Sequence, residues 1–144
     1  MSAEENPIKT LHVVKEQQIA APVEIVWETI LEPHGPLKDM NLKLEAWVGG
    51  RWFRDLGNNT GHLWGHVQVI KPPKLLELVG PTMMSYPAIS HIQYRLTEHA
   101  GGTLLKFTHQ AIGLIPDEHM TGVNKGWEEI LSTIRSGAEA KFRK

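Results

Sequence analysis

The sequence contains no cysteine, which removes disulfides, thiolate nucleophiles and cysteine-type zinc sites from the chemistry open to it. It also lacks an excess of either charge: 15 Lys and Arg stand against 16 Asp and Glu, a formal net charge of -1. Binding of nucleic acid or an anionic membrane through a basic field is therefore disfavoured. No apolar stretch approaches ~18 residues, so no membrane-spanning helix is expected. Residues Met1 to Thr10 lack the basic start and apolar run of a secretory signal, and the sequence reads as that of a cytoplasmic protein.

What is present describes one domain. A length of 144 residues with 41% hydrophobic positions suffices for a single core, expected over 1–144 with its ordered body at about 8–137. The strongest periodic segment is Pro116 to Gly137, where Met120, Val123, Trp127, Ile130, Leu131 and Ile134 form one helical stripe. Pro116 suits a first turn, Asp117 and Glu118 complement the positive end of the helix dipole, and Gly137 reads as the stop. Gly122 and Gly126 interrupt the pattern, each at about 1 kcal/mol relative to Ala. Such glycines imply that something approaches the helix backbone closely.

Upstream, alternation at Leu11, Val13 and Ile19 predicts a strand from about Ile8 to Ala20. Ala21-Pro22 opens a helix with Val23, Val26, Trp27 and Ile30 on its buried stripe, and Pro33 ends it. A turn, with room for one short helical turn, is expected from His34 to Asp39. Extended segments follow at Asn41 to Val48 and Arg51 to Leu56, separated by Gly49-Gly50, and then at Gly61 to Lys71 after Gly57-Asn58-Asn59. Pro72-Pro73 makes a corner before Leu75 to Gly80. An irregular apolar loop, Pro81 to Ala88, precedes strands at Ser90 to Thr97 and Thr103 to Gln110. In that pair Ile92, Tyr94, Leu96, Leu105 and Phe107 share one face and Gln93, Arg95, Lys106 and Thr108 the other. An antiparallel meander with one apolar face and one long helix to cover it is an α+β grip.

The residues that carry a family resemblance now stand in order: Ile19-Ala20-Ala21-Pro22 with Val26-Trp27, Val48-Gly49-Gly50-Arg51-Trp52-Phe53, Gly65-His66-Val67 leading to Pro72-Pro73, Gly102-Thr103 with Thr108-His109, and Gly126-Trp127. Over about Ile19 to Ile134 the chain resembles the SRPBCC (START-like, helix-grip) superfamily. Within it, the chain is most similar to the family named after the activator of the 90-kDa heat-shock-protein ATPase. The resemblance implies a sheet of about seven strands curved around the C-terminal helix, one or two short helices after the first strand, and an apolar cavity between sheet and helix. In the eukaryotic co-chaperone the related domain is joined to a separate N-terminal domain that engages the chaperone. Nothing in these residues corresponds to that domain, so the family name is not read as this chain's activity.

Candidate sites divide by chemistry. Of the eight histidines, His62 and His66 are an obvious pair, but on a strand that spacing separates them by about 13 Å at ~3.3 Å per residue. The plainer reading is an outward polar strip with Trp64 between them, and no metal site is expected. His109 differs, because the alternation Leu105, Phe107, His109 places it on the inner face, either as a core histidine bonded to a backbone carbonyl or as a catalytic group. Trp127, Val123 and Ile130 from the helix, Ile92, Tyr94, Phe107 and His109 from the sheet, and Met83, Met84 and Tyr86 from the apolar loop form the expected ligand cavity. Ile112 and Leu114, in the apolar segment Ala111 to Ile115 with Gly113 at its centre, are expected to close over it as a lid or to staple the helix into the core. Arg51 and Arg54 could anchor an anionic head group, although solvated positions are the plainer reading.

There is no Ser-His-Asp order, no phosphate-cradling glycine loop and no convincing carboxylate pair, and no cofactor is expected. The first functional reading is a binding module for a small hydrophobic or lipid-like ligand. The alternatives are a polyketide-cyclase-like enzyme in the same cavity, with His109 or Tyr94 as general acid or base, and a co-chaperone-like protein working through its surface. A homodimer and a chaperone partner are compatible with the chain, but no residue feature argues for either.

Overall fold

The computed structural model describes residues 7–32 and 40–144. Element order is β1 (Lys9–Ile19), α1 (Val23–Leu31), β2 (Leu42–Leu44), β3 (Arg51–Gly57), β4 (Thr60–Lys71), β5 (Leu75–Gly80), β6 (Ala88–His99), β7 (Gly102–Gly113) and α2 (Asp117–Arg143). The strands form one antiparallel sheet in the order β1-β7-β6-β5-β4-β3-β2. Its inner face carries Leu11, Val13, Leu76, Leu78, Ile92, Leu96, Leu105 and Phe107, all buried, and α2 covers that face with Val123, Trp127, Ile130, Leu131 and Ile134. This is the α+β helix-grip architecture expected from the alternation.

Local chemistry explains the corners. Asn58 and Asn59 both have positive φ, 53° and 61°, so β3 and β4 are joined by the two-residue turn that matches strand twist and that asparagine tolerates. Ala100 and Gly101 repeat the device between β6 and β7, at 53° and 77°. Thr103 hydroxyl donates to the Ala21 carbonyl at 2.7 Å, tying the entrance of α1 to β7. Each fully buried Leu, Ile or Phe in this core contributes roughly 1.5 to 3 kcal/mol relative to exposure.

Three expectations are corrected. The helix does not stop at Gly137 but continues to Arg143. Gly137 retains helical backbone because it faces α1, where a Cβ would lie 3.5 Å from the Thr29 methyl carbon, and Ala138 is completely buried there. Lys141 fastens this extension to α1 through Thr29 Oγ1 at 3.2 Å and Glu32 Oε1 at 2.8 Å. The expected strand Asn41 to Val48 shortens to Leu42–Leu44, because residues 45–50 close a tight turn of their own, with Trp47 N–H on the Glu45 carbonyl at 2.9 Å and Gly50 N–H on Trp47 at 2.8 Å. The turn expected at His34 to Asp39 lies outside the described residues.

The third correction concerns the apolar segment before α2. Ala111 to Gly113 is strand, not loop: Ala111 is buried and Ile112 half-exposed, which continues the in-out alternation of β7 past Gln110. Gly113 pairs with both Lys9 and Ala88, Leu114 N–H donates to the Pro87 carbonyl at 2.8 Å, and Ile115 is buried. A Cβ on Gly113, whose φ is +151°, would stand 2.3 Å from the Pro87 oxygen and 2.4 Å from Ala88 Cα. Gly113→Ala is expected to lower stability by about 1 to 3 kcal/mol, as overpacking against backbone does. Urea denaturation tests this, and an unchanged midpoint would contradict it.

Candidate functional site

The site is built at the end of the grip, where the 81–87 loop meets β3, β4 and the start of α2. A register shift between Trp52 and Phe53 inserts Trp64 as an extra residue in β4. Such a bulge re-aims a side chain. Trp64 accordingly turns inward, is buried, and meets Trp52 edge-to-face at 5.1 Å between ring centroids. The expected outward strip is corrected in the same stroke. His62 pairs opposite Arg54, and His66 opposite Arg51 on the far side of the bulge.

The loop is anchored by Thr82 N–H on the Trp64 carbonyl at 2.7 Å and by Met84 N–H on Pro81 at 3.1 Å. Thr82 has φ of 61°, a left-handed conformation costly for a β-branched residue. Met84 tucks into the core, whereas Met83 is 43% exposed and stands between two clefts. One, of about 360 Å³, is lined by Met40, Arg54, His62, Trp64, Thr82 and Met84 together with Met83. The other, of about 210 Å³, is lined by Met83, His119, Gly122, Val123, Gly126, Trp127 and Ile130.

The two helix glycines therefore have the opposite cause from the one expected. Nothing lies within 4 Å of a Cβ built at Gly122 or Gly126. They leave room above α2 rather than admit a neighbouring backbone.

Among the described residues, three buried side-chain polar atoms lack a hydrogen-bond partner: Arg54 Nε, Thr82 Oγ1 and His119 Nε2. All three belong to residues lining these clefts. His119 Nδ1 lies 2.6 Å from the Tyr86 hydroxyl, and burial lowers the His119 pKa while burial and the Glu118 charge raise that of Tyr86. Arg51 contrasts with Arg54. Its guanidinium grips Glu45 at both ends, Nε to Oε1 at 3.0 Å and Nη2 to Oε2 at 2.7 Å, and lies over the Phe53 ring.

The residues expected to line a cavity are distributed unevenly. Trp127, Val123, Ile130 and Met83 line the smaller cleft, and Met83 and Met84 the larger one. Tyr86 stands beside His119 at the cleft wall. Ile92, Phe107 and His109 are packed into the core, and Tyr94 borders only a narrow gap of about 30 Å³ under β2. Ile112 is on the outer face of the sheet and Leu114 is 37% exposed. Burial pushes the Tyr94 phenol upward, so it stays protonated. His109 is a core histidine held by side chains rather than by a carbonyl: Trp127 Nε1–H donates to its Nδ1 at 2.8 Å, and Ser90 Oγ lies 2.8 Å from its Nε2. Since an indole N–H can only donate, the proton of the neutral ring resides on Nε2, and Nδ1 has no lone pair left to act as a base.

A wider trough of about 590 Å³ crosses the outer face between Thr10, His12, Ile89, His91 and Ile112, but none of the unpartnered buried atoms lies in it. No three His, Asp or Glu side chains among the described residues come together as metal ligands. Nor is any helix among them long and apolar enough to cross a membrane.

Sheet, grip helix and end clefts define a helix-grip protein. A family model described as activator of Hsp90 ATPase homolog 1-like protein matches residues 20–139, and the chain belongs to that family. No curated protein matches it. Solved structures of the same fold include a Rhizobium leguminosarum protein, with TM-score 0.74, 19% identity and coverage of 93% of this chain and 97% of that one. Protein SA2116 of Staphylococcus aureus aligns with TM-score 0.70 at 13% identity, over 95% and 98% of the two chains. CalU16 of Micromonospora echinospora aligns with TM-score 0.62 at 21% identity, over 90% and 81%.

Proposed function

We propose that this protein binds a small, largely apolar molecule at the end of the grip around Met83. One observation carries the reading. Buried polar groups in native proteins are almost always hydrogen-bonded, yet the three described exceptions, Arg54 Nε, Thr82 Oγ1 and His119 Nε2, fall on the two clefts that share Met83. The smaller cleft is otherwise mainly apolar, with Met83, Val123, Trp127 and Ile130, and the larger sets His62 and Ser85 beside its leucine, tryptophan and methionines; apolar surface with a few polar groups suits a small-molecule site. Methionines 83 and 84 add side chains that repack around differing shapes.

The Tyr86–His119 contact favours a second reading, catalysis of the polyketide-cyclase type in the smaller cleft. In the tautomer whose Nδ1–H donates to the Tyr86 oxygen, a neutral His119 has its Nε2 lone pair free to take a proton.

Gly126→Leu tests the binding reading, because its Cβ enters open space from which the side chain extends into the smaller cleft, and a poor helix former is replaced by a good one. Affinity for the uncharged fluorescent probe Nile red is expected to fall about tenfold or more, the effect of roughly 1.4 kcal/mol, with a melting temperature no lower than that of the parent. Equal affinity in parent and variant would overturn the placement of the site.

A further inference from the structure

Among the described residues lining the clefts, Arg54 is the one with a permanent charge, and its described surroundings do not account for it. It lies on β3 opposite Leu42, on the face that buries Leu42 and Trp52. Its Nε is buried and unpartnered, although a buried N–H of a charged group left unpaired costs more than most polar burials. Within the same cleft Thr82 is only 3% exposed, and its hydroxyl is likewise unpartnered. Thr82 is held there at positive φ by the bond from its own N–H to Trp64. Among the described residues, no Asp or Glu lines the cleft. Two unsatisfied donors lining one cleft, with no acid among its described lining residues, are complementary to an anion. Beside the polar His62 and Ser85, the rest of the wall includes Met40, Leu63, Trp64, Met83 and Met84, which are complementary to an apolar body.

We infer that the cleft between β3, β4 and the 81–87 loop is an anion subsite, in which Arg54 and Thr82 hold the carboxylate of a small amphipathic acid whose apolar part lies against Trp64 and Met84. The inference rests on the binding reading above and names the chemistry of its ligand. A single guanidinium matches a monoanion; a dianionic phosphate would leave one charge without a partner.

The test is an NMR titration of the full chain with 1-naphthaleneacetic acid and with its uncharged amide. The acid is expected to bind the parent more tightly than the amide. Arg54→Met should weaken the acid about tenfold or more, the loss of one charge-assisted hydrogen bond, and leave the amide within about twofold. Thr82→Val should weaken the acid in the same sense by a smaller factor. The melting temperature of R54M is expected to hold or rise, since the buried Nε it removes has no partner among the described residues. Equal binding of acid and amide by the parent, or equal loss of both in R54M, would overturn the anion subsite while leaving a binding cleft in place. Tighter binding of 1-naphthyl phosphate than of the acid would overturn the carboxylate assignment. Failure of every probe, Nile red included, would overturn the binding reading itself. A marked fall in the melting temperature of R54M would show that Arg54 is a structural residue and would also overturn the subsite.

Discussion

Truncating Trp127 to alanine should destabilise the protein by about 3 to 5 kcal/mol, the range for removing a large buried aromatic. Trp127 is 1% exposed and joins the helix to the sheet twice over. Its ring lies 4.4 Å from that of Phe107 and 5.6 Å from that of His109, and its N–H supplies the bond to His109 Nδ1. Alanine would leave a cavity in the grip and an unpaired acceptor on a histidine that is itself 1% exposed. The two effects are separable. Trp127→Phe keeps an aromatic ring in the grip, removes the donor and leaves a smaller cavity than alanine does, and should cost about 1 to 3 kcal/mol, the range for a buried acceptor left unsatisfied. Urea denaturation of the three proteins measures both, and a loss below about 1 kcal/mol for Trp127→Ala would count against a helix held by its apolar stripe.

The reason that the grip was legible in the sequence is that its two periods are uninterrupted where they matter most. Leu105, Phe107 and His109 alternate cleanly, Val123, Trp127, Ile130 and Ile134 recur at helical spacing, and all seven are buried. The site was less legible because each of its elements breaks a period. The inserted Trp64 exchanges the faces of the residues on either side of it, so counting by twos from His66 gives His62 the wrong face. Gly137 has the composition of a helix stop, but contact with Thr29 overrides it. Gly122 and Gly126 were conspicuous, yet a missing side chain signals equally a close neighbour and an empty space; only the surrounding structure distinguishes them. Arg54 could have been placed by its two-residue spacing from Trp52. Thr82 and His119 carried no signal, since their importance lies in partners they lack.

Acid should weaken the fold through His109 before the carboxylates contribute. Burial pushes its pKa from 6.5 down to about 4, and the geometry gives the same direction: protonating Nδ1 would set N–H against the Trp127 N–H. In the unfolded chain this ring takes up a proton near pH 6.5, whereas in the folded protein it resists until about pH 4. Between those values the unfolded state binds more protons, so stability falls as pH drops through the window. The neutral ring's full contribution is present above pH 6.5, and about 3 kcal/mol of it is lost by pH 4 at ~1.4 kcal/mol per unit. His119, lowered in the same direction, adds to the slope, whereas Glu45, Asp55, Glu77 and Glu139, all lowered, lose their contributions only below the ordinary carboxylate range. His109→Gln isolates the effect. A glutamine amide can accept from Trp127 and donate to Ser90 without titrating, so the variant should lose most of the slope between pH 6.5 and 4.5 while the parent keeps it. Urea midpoints at half-unit steps decide the matter, and parallel curves for parent and H109Q would show that His109 is not the group that titrates.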